Sequence, residues 1–288
     1  MAMATKTRSS FAVWALHVAL LAVQVLIATL VGHRFLGLPT EVMLNLLMCV
    51  FGMFAFALVL ALVAFVRIWD VGLQGVSRAA VAMVLAMATF AWPAAYWPAY
   101  SKLPVLNDVT TDYITPPPFF AVAKLRSPQA NSTTYPGIDF ARLQADTYPM
   151  IKPLTVRRTA AEAFEITRKV VARRGWKVVN AAAPTPAGGP GLIEAVASTL
   201  ILGFNDDVAI RIRDVGEATR IDVRSASRFG DHDFGRNANR VEDLLKQLEA
   251  RLETGSQDPD FVAQQKARKA GKKKTKKKQV KKRQRPSA

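Results

Sequence analysis

The sequence predicts three N-terminal transmembrane helices, a C-terminal α+β domain with a four-stranded antiparallel sheet and two helices, and a disordered basic tail. Three observations support this division. Apolar residues are concentrated before residue 102, helical and alternating patterns follow one another between 159 and 254, and thirteen lysines and arginines without an acid lie in 266–288. We therefore divide the chain into a membrane anchor, 1–102, an extracytoplasmic domain, 103–255, and a lysine-rich tail, 256–288.

Three stretches lack Asp, Glu, Lys and Arg for longer than the roughly 18 residues typical of a membrane-spanning helix. They cover about 11–32, 42–66 and 79–101. The first is too long for the apolar part of a signal peptide, so it is predicted to be retained. Pro93 and Pro98 interrupt the third, which leaves a re-entrant or surface helix open there. Its far end carries an interfacial aromatic belt, Trp92, Tyr96, Trp97 and Tyr100.

Basic residues beside the spans predict the orientation of the chain. Four basic residues would lie on the same side of the membrane as the N-terminus, namely Lys6, Arg8, Arg67 and Arg78. Two would lie on the opposite side, namely Arg34 and Lys102. This bias places the N-terminus in the cytoplasm and the C-terminal domain outside it. The protein is thus predicted to be a multi-pass protein of the inner (plasma) membrane. A reporter enzyme fused after residue 255 is therefore expected to be active outside and not in the cytoplasm. The same reporter fused between the second and third spans, within 67–78, is the opposite-side control, and activity of the first fusion only inside the cell would reverse the orientation.

Regular structure in the domain begins with a helix. Thr159 and Glu162 form a capping box and Gly175 provides the stop. Four strands follow in "WKVVNA", "GLIEAVASTLILGF", "DVAIRIRDV" and "ATRIDVRSAS", and the short turns between the later ones predict antiparallel pairing. A last helix, marked at its start by Asp231 or Asp233, carries a leucine-rich face. The earlier part of the domain, rich in Pro, Ser and Thr, is expected to wrap this core.

Alternation in the last two strands predicts which side chains share a face. Val208, Ile210 and Ile212 should lie under the helices, with the arginines on the other face. Pairing through a turn at Gly216 places Arg211 opposite Asp222, and Arg213 opposite Arg220. Because arginine holds carboxylates and phosphates through paired hydrogen bonds, this region is a candidate anion site.

The candidate anion site also includes the end of the last strand, because the last helix begins shortly after it and the start of a helix favours anions. Its predicted ligand-binding residues are Arg211, Arg213, Arg220, Arg224, Ser225, Ser227 and Arg228. Asp206, Asp207 and Asp222 are predicted to pair with these arginines, and such pairing on an exposed sheet face is an alternative to ligand binding.

Several blocks of the domain resemble a known family. "LNDVTTDY", "YP", "GW", "IEAVASTLILGFNDDVAIRI" and "DVRSASRFGDHDFGRNANR" occur in order over roughly 106–248 and are similar to blocks of the Domain of Unknown Function 1499 family. The resemblance implies no agreed activity and no catalytic residues. It is consistent with a membrane-tethered or exported envelope protein.

The sequence therefore predicts a membrane-anchored envelope protein that binds an acidic ligand or an envelope partner, which favours a binding protein over an enzyme. One alternative is a hydrolase that uses Ser225 or Ser227, His232 and an aspartate from 222–240, although no serine elbow surrounds them. Another is a structural anchor. With one cysteine, Cys49, and no nucleotide fingerprint, neither a metal site nor a cofactor is predicted.

The basic tail predicts a second class of partner besides the lipid bilayer. Outside the cell, residues 266–285 would bind anionic lipids or envelope polyanions; nucleic acid would become a partner only if the C-terminus were cytoplasmic.

Overall fold

The computed structural model describes residues 7–254, so Lys6 and the predicted tail, 256–288, lie outside the described residues. The described chain has three helical segments long and apolar enough to cross a membrane. They are α1, Ser10–Phe35; α2, Thr40–Val71; and Val76–Lys102, which consists of α3, Val76–Ala95, and α4, Trp97–Lys102. The predicted three-helix anchor is thus confirmed by length and composition, with helices that extend beyond the predicted spans.

Small side chains bring the three membrane helices together. Alanines on all three are completely buried where the helices meet, among them Ala15, Ala57 and Ala82. Small residues let helix backbones approach closely, which is the packing that membranes favour. The proline-containing segment divides at Tyr96: Pro93 stays within α3, whereas Pro98 lies in the first turn of α4, where proline is tolerated.

The C-terminal domain consists of one antiparallel sheet and the helices that pack against it. Its elements, in order, are β1, Asp108–Thr110; a 3₁₀ helix, Val122–Leu125; α5, Ile138–Thr147; β2, Leu154–Val156; α6, Ala160–Arg173; β3, Lys177–Ala182; β4, Gly191–Ser198; β5, Asn205–Asp214; β6, Thr219–Ser227; and α7, Arg236–Thr254. The sheet runs β1-β6-β5-β4-β3, and β2 also pairs with β6. All of these pairings are antiparallel.

The prediction of a four-stranded sheet with two helices is wrong in its counts, since the described sheet has six strands and the domain has a further helix, α5. The two extra strands, β1 and β2, have three residues each and lie along the outer edge of β6. Strands this short carry too few residues for alternation to be recognised. They pair with β6 because the backbone N–H and C=O groups along its outer edge need hydrogen-bond partners.

The structure contains the capping interactions that were used to predict where the helices of the domain begin and end. The Thr159 hydroxyl accepts a hydrogen bond from the Glu162 amide at 3.3 Å, and Gly175 has a φ of 69° just after α6. At α7, the cap is Asp233 rather than Asp231. Its carboxylate accepts hydrogen bonds from the amides of Gly235 and Asn237 at 2.8 and 2.9 Å.

The two faces of the sheet have different covers. Val208, Ile210 and Ile212 are buried against α6 and α7, as predicted, and the register places Arg211 opposite Asp222. The second face is not exposed, contrary to what the ion-pair alternative had assumed. Residues 111–136, which we call the covering segment, lie over the second face and bury Phe119 and Val122 against it. The domain therefore has three layers: helices, sheet and covering segment.

Candidate functional site

The arginines predicted to share one face of the sheet do so, but they are covered and paired. Arg224 is the clearest case, with a side chain 3% exposed. Its Nε and Nη2 donate to Asp108 at 3.0 and 2.6 Å, and its remaining donors reach the carbonyls of Pro117 and Thr133. The guanidinium also lies 4.4 Å from the ring centre of Phe119. An anionic ligand at Arg224 would have to displace Asp108.

Arg228 is buried in a second ion-pair cluster. Its Nη2 and Nε donate to Asp207 at 2.7 and 3.0 Å, and Arg126 of the covering segment donates to the same carboxylate at 2.7 Å. The Asp207 side chain is completely buried, and both arginines are nearly so. This cluster fastens the covering segment to the start of β5.

A third cluster lies near the β5–β6 turn and combines Arg211, Arg213 and Arg220 with Asp112 and Asp222. Arg213 and Arg220 remain about one-third exposed. Burial opposes ionisation of Asp112, but hydrogen bonds from Thr115 and the charges of Arg220 and Arg211 outweigh it and lower the pKa. All three arginines thus already have carboxylate partners, and an acidic ligand here stays a prediction.

The two serines of the predicted site lie on the opposite face of the sheet from Arg224. The Ser225 hydroxyl donates to Asn237 of α7 at 2.7 Å, and the Ser227 hydroxyl accepts from the same side chain at 2.9 Å. Asp206, also on this face, pairs with Arg240 of α7. Successive side chains of a strand point in opposite directions, so residues adjacent in sequence are separated by the sheet. The predicted set is therefore not assembled into one site.

The residues of the hydrolase alternative do not form a serine–histidine relay among residues 7–254. The ring nitrogens of His232 contact the Leu103 carbonyl at 3.2 Å and the Phe234 amide at 2.9 Å. The ring also stacks on Tyr100, with centres 5.4 Å apart. The serine hydroxyls are engaged with α7 instead. Neither serine hydroxyl is hydrogen-bonded to His232 in the part of the chain that the structure describes.

A cavity of about 690 Å³ lies between the membrane helices and the α+β domain; we call it the chamber. Its volume is within the range of about 300–1,000 Å³ typical of small-molecule sites. The membrane helices contribute apolar side chains, Leu26 and Leu30 of α1 and Leu44, Leu47 and Phe51 of α2. The aromatic belt contributes Trp92, Tyr96, Trp97 and Tyr100. Most of the wall is therefore apolar.

The stretch that joins the sheet to α7 forms the other end of the chamber. Phe229 and Phe234 line it beside polar groups, Ser227, His232, Asp233 and Arg236. Arg236 is exposed, whereas Asp233 is buried at the start of α7. Burial raises the pKa of Asp233, and hydrogen bonds from Asn237 and Gly235 oppose the shift. The chamber thus combines a long apolar wall with a small polar end.

Contacts across the boundary hold the domain against the helix ends. Arg34 of α1 donates to the Thr199 carbonyl at 3.1 Å, and the Ser127 hydroxyl donates to Glu41 of α2. The rings of Tyr96 and Phe234 lie 5.5 Å apart.

Sequence reasoning identified the stretch 222–240 but missed the chamber, because half of its wall comes from membrane helices far away in sequence. The aromatic belt was the available signal.

Comparison with known proteins adds one finding. Residues 108–248 match the family model described as "Protein of unknown function (DUF1499)". No curated protein matches the chain. The α+β domain of this chain belongs to the DUF1499 family, and the membrane helices lie outside the matched residues.

Proposed function

We propose that this membrane-anchored member of the DUF1499 family binds an amphiphile of the bilayer in the chamber, with the acyl chain between the helices and the polar head at the domain. The observation that carries the proposal is the composition of the wall. It is apolar where helices of membrane-spanning length form it, and polar where Ser227, His232 and Arg236 form it.

A membrane lipid fits both parts of the wall. Leu30, Leu47 and Phe51 give this part of the wall apolar side chains, which favour an apolar occupant such as an acyl chain. At the other end, Arg236 supplies donors for a polar head, and a buried Asp233 lies beside it. A lipid with an acidic head would be an acidic ligand, as the sequence predicts, but it would bind at Arg236 and not at the arginine clusters of the sheet.

Photocrosslinking in the native membrane tests the proposal. A photoreactive phenylalanine analogue at Phe229, which lies in the α+β domain and lines the chamber, is expected to form an adduct with lipid. Mass spectrometry of the labelled peptide would identify the lipid class. The matched control is the same analogue at Ile114, which is 92% exposed and close to Asp112 beside the β5–β6 turn, and it should form no lipid adduct.

A second variant separates binding in the chamber from general contact with the bilayer. Leu30→Trp combined with Leu47→Trp narrows the apolar part of the chamber and is expected to reduce the Phe229 adduct several-fold. Equal adduct yields at Phe229 and Ile114 would contradict lipid binding. The side of the membrane on which the domain lies stays a prediction from the flanking basic residues.

A further inference from the structure

The turn between β4 and β5 has an apolar tip. Sequence patterning extends a strand through "TLILGF", but β4 ends at Ser198 and residues 199–204 form a turn. The turn is closed by the Thr199 amide, which donates to the Phe204 carbonyl at 2.8 Å, and by the Phe204 amide, which donates to the Thr199 hydroxyl at 2.9 Å. Leu200 and Ile201 nevertheless remain 85% and 59% exposed. Turns in contact with water usually carry polar residues instead.

This tip lies beside the last turn of α1. The Thr199 carbonyl accepts the hydrogen bond from Arg34, and the rings of His33 and Phe204 are 6.3 Å apart. Gly203 is close enough that an added Cβ would lie 3.4 Å from the Arg34 side chain. The first charged residue after the apolar part of α1 is Arg34, which is typical of the edge of the hydrocarbon region. The tip is therefore held beside the charged end of α1, where the interface of a membrane crossed by α1 would lie.

Exposed apolar residues surround the same position. Phe35 and Leu36, where α1 ends, are 75% and 78% exposed. Leu202 and Phe204 of the turn face the chamber, whereas Leu200 and Ile201 do not line it. The turn thus has one apolar side toward the chamber and one without a partner among the described residues.

We propose that the β4–β5 tip inserts into the bilayer interface, with Leu200 and Ile201 among the lipid headgroups and upper acyl chains. Transfer of their side chains from water to lipid is favourable. The insertion is shallow, because non-helical backbone is tolerated near the surface of a membrane but not in its core. The internal hydrogen bonds of the turn satisfy part of its backbone. Insertion does not require an occupied chamber.

Depth measurement on the full chain tests this proposal. In a Cys49→Ser background, an environment-sensitive fluorophore is attached to Leu200→Cys, and the protein is reconstituted into vesicles containing lipid with a nitroxide near the headgroup. Strong quenching is expected, comparable with that of a label at Leu36→Cys. The matched control is Val215→Cys, 47% exposed in the turn at the other end of β5, which should not be quenched.

The result separates two arrangements of the domain. Quenching at Leu200 with none at Val215 supports insertion, and the quencher near the headgroup should act more strongly than one deep in the bilayer. An unquenched label at Leu200 would show that the domain holds its tip away from the lipid, and would overturn the proposal. Because Leu200 lies outside the chamber, a lipid adduct at Phe229 in the crosslinking experiment is an independent outcome.

Discussion

Replacing Asp207 by Asn is expected to destabilise the α+β domain by about 3–5 kcal/mol, because it leaves two buried guanidinium groups without their carboxylate. Asp207 is completely buried, and it accepts hydrogen bonds from Arg126 in the covering segment and from Arg228, the residue after β6. Asparagine keeps the shape but removes the charge and one acceptor oxygen. The variant therefore tests the ion pair rather than the packing.

Hydrogen exchange of the full chain in detergent micelles measures this effect. The slowest amides of β5 and β6 are expected to exchange roughly a hundredfold faster or more, since about 1.4 kcal/mol corresponds to a factor of ten. Asp139→Asn provides the control, because Asp139 is 94% exposed and 3.6 Å from Arg142, so exchange should not change. Unchanged exchange in the Asp207 variant would mean that Arg126 and Arg228 are adequately held by carbonyl groups alone.

Replacing Glu194 by Leu is expected to release the covering segment from the sheet. Glu194 is completely buried in β4 and accepts hydrogen bonds from the backbone amides of Phe120, Ala121 and Val122 at 2.7, 2.9 and 3.3 Å. Asn180 of β3 also donates to it at 3.0 Å. Leucine leaves these donors without an acceptor, and hydrogen bonds to a charged group contribute about 1.5–3 kcal/mol each.

The expected result is faster hydrogen exchange at residues 120–122, together with a loss of about 3 kcal/mol or more in stability. Glu194→Gln is the matched variant, since it keeps one acceptor oxygen and should lie between the original protein and Glu194→Leu. Amides in the middle of α6, on the other face of the sheet, report whether the effect is local. If residues 120–122 exchange as in the original protein, Glu194 does not hold the covering segment.

These two carboxylates show why the second face of the sheet escaped sequence reasoning. Alternation correctly assigned Arg211, Asp222 and Arg224 to one face, because side-chain direction in a strand follows from position alone. It says nothing about what covers that face. The partner of Arg224 is Asp108, which is 116 positions away, and no local pattern links them.

The same distinction applies to the membrane part. The helices were predictable because a span requires an uninterrupted apolar run, which is a property of consecutive residues. The chamber was not, since its wall combines α1, α2, the aromatic belt and the stretch before α7. The end of β4 at Ser198 was likewise missed, because "TLILGF" continues the apolar pattern of the strand.

The sequence by itself determined the three apolar helices, the caps of α6, and the register in which Arg211 faces Asp222, and it left two candidates for the cap of α7. Each depends on residues close together in the chain, where backbone geometry and hydropathy act directly. Only the tertiary structure decided which carboxylate each arginine meets, that β1 and β2 complete the edge of β6, and that a chamber lies between helices and sheet. These features depend on contacts between distant segments, which form only when burial brings the segments together.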